Sequence, residues 1–440
     1  MNSTVILTSL VVLSALVLLR GELLATVRRP TPAGSVFLIS VVYLIGAMLV
    51  TWRAGSAAAS FVFGVYALHF GVYAVGYFAL SAALKLRRHP IEVSRSIGEA
   101  QQGLVAKWGF FLLTFCLSVV AMYLIGADRL LASLFQFVLF GDMDESVLDL
   151  RLALASGAEG WMAPGYLKQL RDVLLPLATL LVLFTVRRTA TGFVLLSLLL
   201  VPAVSVTIMS SGQRAPVLLF VLGAVYAAKQ AVSWNLHRLR VTALPIIVMA
   251  SVGTTAFLSL TSSFSSRYSE DDNVLIVLAD RIVTRVPEEN VLGAPVWRRG
   301  TPFPGAGWLS DLSSVLPGTQ KNLSNLIHEY LGGRATGNSP LGTWIDVHYN
   351  FGWILGISVS VLLGMFIALF NHWTNVARGV SEAAEVCGLW ISLCMLLVLS
   401  PFGFLLYGPF TASMLLLLVA SWTKLFRPRP RLAPAGAHGH

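Results

Sequence analysis

Charge is what this sequence has least of. Only 12% of its 440 residues are Asp, Glu, Lys or Arg, where a soluble domain carries about 25%. That shortage excludes an ordinary water-facing surface. Cysteine is scarce as well. Cys116, Cys387 and Cys394 lie in or at the edge of apolar runs, so they form no disulfide framework and show no zinc spacing. No internal repeat is visible, and no matched pair of Gly/Pro-broken spans marks an inverted-repeat transporter. No basic residue precedes the first apolar run, and no small-residue cleavage site follows it at Arg20-Gly21-Glu22. That run is therefore not read as a cleaved signal.

What fills the chain instead is hydrocarbon, with 56% hydrophobic residues. Apolar runs of roughly membrane length fall at 3–19, 35–52, 58–84, 108–126, 172–186, 190–208, 213–233, 241–260, 346–370, 384–401 and 404–422. The pattern predicts an all-α, polytopic integral membrane protein of about eleven spans forming one domain. The run at 172–186 is short, and 130–139 is too short to cross, so it reads as interfacial or re-entrant.

Orientation follows from lysine and arginine. With the N-terminus outside, the inner segments hold 18 Lys+Arg against 5 acids, a net of +13, and the outer segments hold 13 against 16, a net of −3. The whole-chain charge of +10 is thus a topology signal. No soluble basic domain exists to hold nucleic acid, so none is expected as a partner. The tail at 427–440, rich in Pro and Arg, reads as disordered and cytoplasmic.

Two long outer loops remain. Loop 127–171 contains Asp142-Met143-Asp144-Glu145. Such an Asp-x-Asp holds a divalent metal in many sugar transferases, but the same acids suit the cap of a helix over 145–155. Loop 261–345 is the richer one. An amphipathic helix is expected over 273–286, with Arg281 and Arg285 one turn apart on one face and Pro287 ending it. Residues 298–308 are Gly-, Pro- and Trp-rich irregular backbone. A second short helix over 319–331 puts Lys321, Asn325 and His328 on one side with Glu329 beside them. The loop then passes Arg334 and reaches Asp346, His348 and Asn350 at the mouth of the next span.

The chemistry of these residues points to a phosphorylated substrate. Arginine forks match phosphate oxygens bidentately, so Arg281, Arg285 and Arg334 on the outer face suit a diphosphate. An interfacial helix whose arginines meet lipid phosphates, or Glu288 and Glu289, is the plainer alternative. Arg298 and Arg299 fit that alternative better. Arg214 opens an apolar span, where a cation is costly unless paired or hydrated. It either snorkels to the surface or joins the same polar cavity. His328, Glu329, Asp346 and His348 are the acid/base candidates. No metal site and no cofactor are expected.

Three pieces together resemble the O-antigen polymerase family, the bacterial oligosaccharide repeat-unit polymerases. They are Ser211-Gly212-Gln213-Arg214, the arginine-bearing loop 261–345, and Asp346-Val347-His348-Tyr349-Asn350-Phe351-Gly352 followed by Gly356. The resemblance covers roughly residues 200–370; before that the chain matches only in being polytopic. It implies a glycosyltransferase of the bacterial inner membrane, with the N-terminus periplasmic and the C-terminus cytoplasmic. The family joins undecaprenyl-diphosphate-linked glycan donor and acceptor at the outer face, without nucleotide sugar and without metal. A flippase and a chain-length regulator are the implied partners, beside membrane lipid. The family's arginine dependence maps to Arg214, Arg281 and Arg285. His328, Glu329 or Asp346 would deprotonate the acceptor hydroxyl. Tyr330, Trp308 and Trp344 would stack on sugar, with Arg334, His348, Tyr349 and Asn350 lining the substrate. Two other classes stay open: an exporter or flippase, and a metal-dependent polyprenyl-phosphate-sugar transferase using Asp142 and Asp144.

Overall fold

The computed structural model describes residues 3–86, 109, 112–117, 170–186, 190–209, 215–234, 283–313, 323–332, 341–378, 382–397, 410–415 and 417. Arg214, Arg281, Lys321, Arg334, Asp142, Asp144, the run 130–139, the span 241–260, most of 108–126 and the tail 427–440 lie outside them. Every described element is helical, and no strand occurs among the described residues.

The chain opens with three long helices, α1 Ser3–Arg28, α2 Pro32–Ala54 and α3 Ala57–Leu86. Local chemistry sets their ends. The Thr31 hydroxyl accepts from the Gly34 amide at 3.1 Å, and Pro32 occupies the first position of α2, where no amide is needed. Gly55 ends α2 in the left-handed region at φ 58, the conformation glycine supplies at a helix C-terminus. Ser56 starts α3 by accepting from the Ala59 amide at 3.1 Å. Two residues thus reverse the chain and lay α3 antiparallel to α2.

Later helices are α4 Leu175–Val186, preceded by a π-helical turn at Leu170–Leu174, then α5 Ala190–Met209 and α6 Ala215–Trp234. Four short helices follow in the polar region: α7 Arg285–Leu292, α8 Ala294–Trp297, α9 Ala306–Ser313 and α10 Leu323–Tyr330. The last described helices are α11 Thr343–Phe351, α12 Ile354–Arg378 and α13 Glu382–Cys394. Among the described residues α1, α2, α3 and α12 are long and apolar enough to cross a membrane. α4, α5 and α6 pack together, and α13 joins them to α12 and α2.

The broadest helix contact is α3 against α12, and sequence spacing explains it. Gly356, Ser360, Gly364 and Ala368 recur every four residues on α12 and are all buried. Such a small-residue stripe lets two backbones approach. A Cβ on Gly364 would lie 2.1 Å from the Tyr73 carbonyl oxygen, and one on Gly76 would lie 2.4 Å from that of Val361. Gly356 meets His69 and Gly364 meets Tyr73 and Tyr77, so positions advance together on both helices and α3 and α12 run parallel.

The opposite end of α2 from Gly55 is tied by charge. Arg378 is fully buried and donates to Glu385 at 2.7 and 3.1 Å. It also donates to the Pro30 carbonyl, while Arg29 pairs with the same Glu385. Its stem lies against Gly388, where a Cβ would meet Cγ at 2.2 Å. Arg29, Arg378 and Glu385 thus meet at the Pro32 end of α2.

Three local expectations change. Most of the helix expected over 273–286 lies outside the described residues, but Pro287 does not end a helix: it sits in the first turn of one that begins at Arg285. Proline is tolerated there because first-turn amides have no intrahelical acceptor. Residues 298–308 include the start of α9. The span expected at 346–370 is two helices, broken at Gly352 with φ 62, and the crossing helix is Ile354–Arg378.

Candidate functional site

The polar region does not lie on top of the bundle. It descends beside it. A Cβ on Gly46 of α2 would sit 1.8 Å from the Val283 carbonyl oxygen. Gly46 is eight residues before Ala54, or about 12 Å below the Gly55 end at 1.5 Å per residue. On α3, the Tyr66 hydroxyl accepts from Asn290 at 2.9 Å, and a Cβ on Gly342 would strike that oxygen at 1.8 Å. Trp344 reaches deeper still, to 5.0 Å from the Tyr73 ring. From there α11 climbs back towards the Gly55 end, turns at Gly352 and enters α12. Within 283–351, α7 and α11 are thus seated against α2, α3 and α12, and with the other described residues they form a re-entrant unit.

Helical spacing gives α11 two working faces. Asp346 and Asn350, four apart, face the loop. The indole N–H of Trp308 donates to Asp346 at 2.7 Å. The Asn350 side-chain amide donates to the same carboxylate at 3.2 Å and to the Asp346 carbonyl at 2.9 Å. Asn350 Oδ1 accepts from the Trp308 amide at 3.1 Å. Gly307 permits this approach, since a Cβ would lie 2.6 Å from that oxygen. The last carbonyls of α11 are met as well: Thr301 N–H donates to Tyr349 at 3.2 Å and Gly305 N–H to Asn350 at 2.9 Å. These bonds fasten α9 and the 301–305 turn to α11.

Trp344 and His348, also four apart, face α3. His348 lies among Trp353 at 4.4 Å, Phe61 at 5.8 Å and Trp297 at 5.9 Å between ring centroids. Its Nδ1 is 3.4 Å from Nε2 of His69, and Nδ1 of His69 is 3.0 Å from Ser360 Oγ. The Arg298 guanidinium sits 4.1 Å over the Phe61 ring, a cation–π contact. Burial, and secondly the Arg298 charge, hold His348 below its usual pKa. Its imidazole is therefore neutral near pH 7, able to accept a proton.

The sequence-predicted residues divide accordingly. Asp346, His348, Tyr349, Asn350, Trp308 and Trp344 are brought together around α11. Trp344 is buried against Phe70 and Tyr73, so its ring packs in the core and is closed to a sugar. His328, Glu329 and Tyr330 lie on α10, which packs on α8 through Ile327; Glu329 and Tyr330 are exposed. Arg285 is exposed and paired with Glu289 at 2.9 Å.

Sequence reasoning passed over His69, Ser360 and Phe61, and read Arg298 as an interfacial anchor. The i, i+4 small-residue stripe on α12 was the available signal. A lone histidine at a matching depth in an apolar run calls for such a gap beside it. No family model, no curated protein and no solved structure matches this chain.

Proposed function

We propose that this chain polymerises undecaprenyl-diphosphate-linked oligosaccharide repeat units into a surface polysaccharide at the periplasmic face of a bacterial inner membrane. In this reading the Gly55 end faces the periplasm, as the lysine and arginine distribution favours. The observation that carries it is the seat of the polar unit. Val283, Gly342 and Trp344 lie about 12 Å or more below the Gly55 end among helices long enough to span. A polyprenyl tail from the bilayer and a glycan from water can meet at that level. Exposed Trp353, Ile354 and Leu355 at the head of α12 give the tail an apolar approach to the same recess.

The acceptor's hydroxyl oxygen attacks the anomeric carbon of the growing chain. The bond from that carbon to the diphosphate oxygen breaks, and undecaprenyl diphosphate leaves with the electron pair. The hydroxyl proton passes to the neutral imidazole of His348. Asp346 is buried and accepts from Trp308 and Asn350, so its carboxylate orients the recess rather than taking the proton. Arginine meets the negative charge that develops on the leaving group. Arg298 lies over Phe61 beside His348, and this reading assigns the diphosphate to Arg285 together with Arg214, Arg281 and Arg334. His328, Glu329 and Tyr330 on α10 are left for the acceptor glycan. The reaction needs no cofactor or metal, a flippase to deliver units, and a chain-length regulator to end synthesis.

A second reading, a proton-coupled exporter of lipid-linked glycan, is favoured by one observation. His69 is a titratable group buried in a spanning helix, the usual mark of a proton path. A deletion strain separates the two. Loss of a polymerase leaves single repeat units on the surface, run as one short band where the parent shows a ladder. Loss of an exporter leaves no surface glycan and accumulates lipid-linked units on the inner face.

A further inference from the structure

We propose that His69, inside the apolar helix α3, is a positioning residue that fixes the tautomer of His348. This role rests on the reading of His348 as proton acceptor. A histidine in a spanning helix costs free energy unless its polar atoms are paired, and apolar packing alone would be served by Phe or Leu. His69 is fully buried, and both its ring nitrogens are engaged. Trp353 lies parallel to its ring, 6.0 Å between centroids. Gly356 makes its room, because a Cβ there would lie 2.6 Å from His69 Cε1.

The bonds around His69 set where the protons sit. Nδ1 of His69 lies 3.0 Å from Ser360 Oγ, a hydroxyl with lone pairs to accept an N–H. In this assignment the proton sits on Nδ1 and is donated to Ser360. Nε2 then carries a lone pair and accepts from His348 Nδ1–H. This leaves His348 Nε2 unprotonated, the form a general base requires. When Nε2 takes a proton, the imidazolium keeps its Nδ1–H on His69. The charged and titratable groups around the pair are few among the described residues: Arg298 from the turn after α8, Tyr66 and Tyr73 on α3, and Asp346 on the other face of α11.

The test uses the purified full chain in lipid nanodiscs, with ring nitrogen-15 histidine and a lipid-diphosphate repeat unit as substrate. The chain has eight histidines, so single substitutions assign the signals. His348 should carry its proton on Nδ1. His69→Phe should give a mixed tautomer and lower kcat about 10- to 100-fold, the usual effect of losing an orienting partner, with KM little changed. His69→Gln, whose Oε1 can take the place of Nε2 as acceptor, should restore the Nδ1–H form and part of kcat. An Nε2–H His348 in the wild type, an unchanged tautomer in His69→Phe, or a Gln variant no better than Phe overturns the assignment. Should His69→Phe not fold, the wild-type tautomer and the Gln variant decide it. Should no protein polymerise the substrate while the tautomer responds as stated, the pairing stands and the polymerase reading fails.

Discussion

The indole N–H of Trp308 and the carboxylate of Asp346 meet at 2.7 Å across the re-entrant unit. With the Asn350 amide on the same carboxylate, this bond decides whether α9 stays docked on α11.

Asp346→Ala should therefore destabilise the protein by about 2–6 kcal/mol, because it strands two donors at about 1–3 kcal/mol each. Trp308→Phe removes the donor and keeps most of the ring, so it should cost about 1–3 kcal/mol. A double-mutant cycle by thermal melting in detergent checks the pair. Coupling near zero would show that the bond holds nothing.

Close approach of α3 and α12 makes a second expectation. Gly364→Ala puts a methyl 2.1 Å from the Tyr73 carbonyl oxygen, an overpacking change worth about 1–3 kcal/mol or more. Gly71→Ala in the same spanning helix as Tyr73 meets nothing within 4 Å. It should be neutral, or stabilising by about 0.5–1 kcal/mol from helix propensity. Melting temperatures of the two variants should move in opposite directions or differ by several degrees.

The far end offers a contrast between two arginines on one acid. Arg378 is buried and Arg29 half-exposed, and both pair with Glu385. Glu385→Gln leaves a buried guanidinium without its counter-charge, at about 3–5 kcal/mol. Arg29→Ala removes a partner that water already screens, at about 0–1 kcal/mol. Folded yield and melting temperature in detergent check the order; equal losses would contradict it.

Protonation of His348 gives a pH dependence with a definite sign. Its folded pKa is lowered below the usual value of 6.5 by burial and by Arg298. The stability from a neutral buried imidazole is thus present above that value and lost as pH falls through the lower folded one. Melting temperature should drop on acidification below about pH 6.5, and less so in His348→Gln. Arg298→Gln removes the cation and should move the His348 titration upward, read from its ring signals.

Much of this was legible in the sequence. The apolar runs that became α1, α2 and α3 were plain, and the polar stretch drew attention as the place where chemistry sits. The role of Pro287 there was misread, because proline can end one helix or open another, and here it lies in the first turn of α7. The re-entrant depth was not legible. It depends on Gly46, Gly342 and Gly356 each opening space for another segment, and a glycine's neighbour cannot be read from its own run. His69 was overlooked for the same reason, since its partners lie 279 and 291 residues away.

The most direct measurement is extension by the purified chain in proteoliposomes supplied only with undecaprenyl-diphosphate-linked repeat units. The account predicts a ladder of lengthening glycans with release of undecaprenyl diphosphate, in EDTA as well as without it. His348→Gln should slow it about 100-fold or more, as expected for loss of a general base. No lengthening with substrate intact, or lengthening abolished by EDTA and restored by magnesium or manganese, would contradict it.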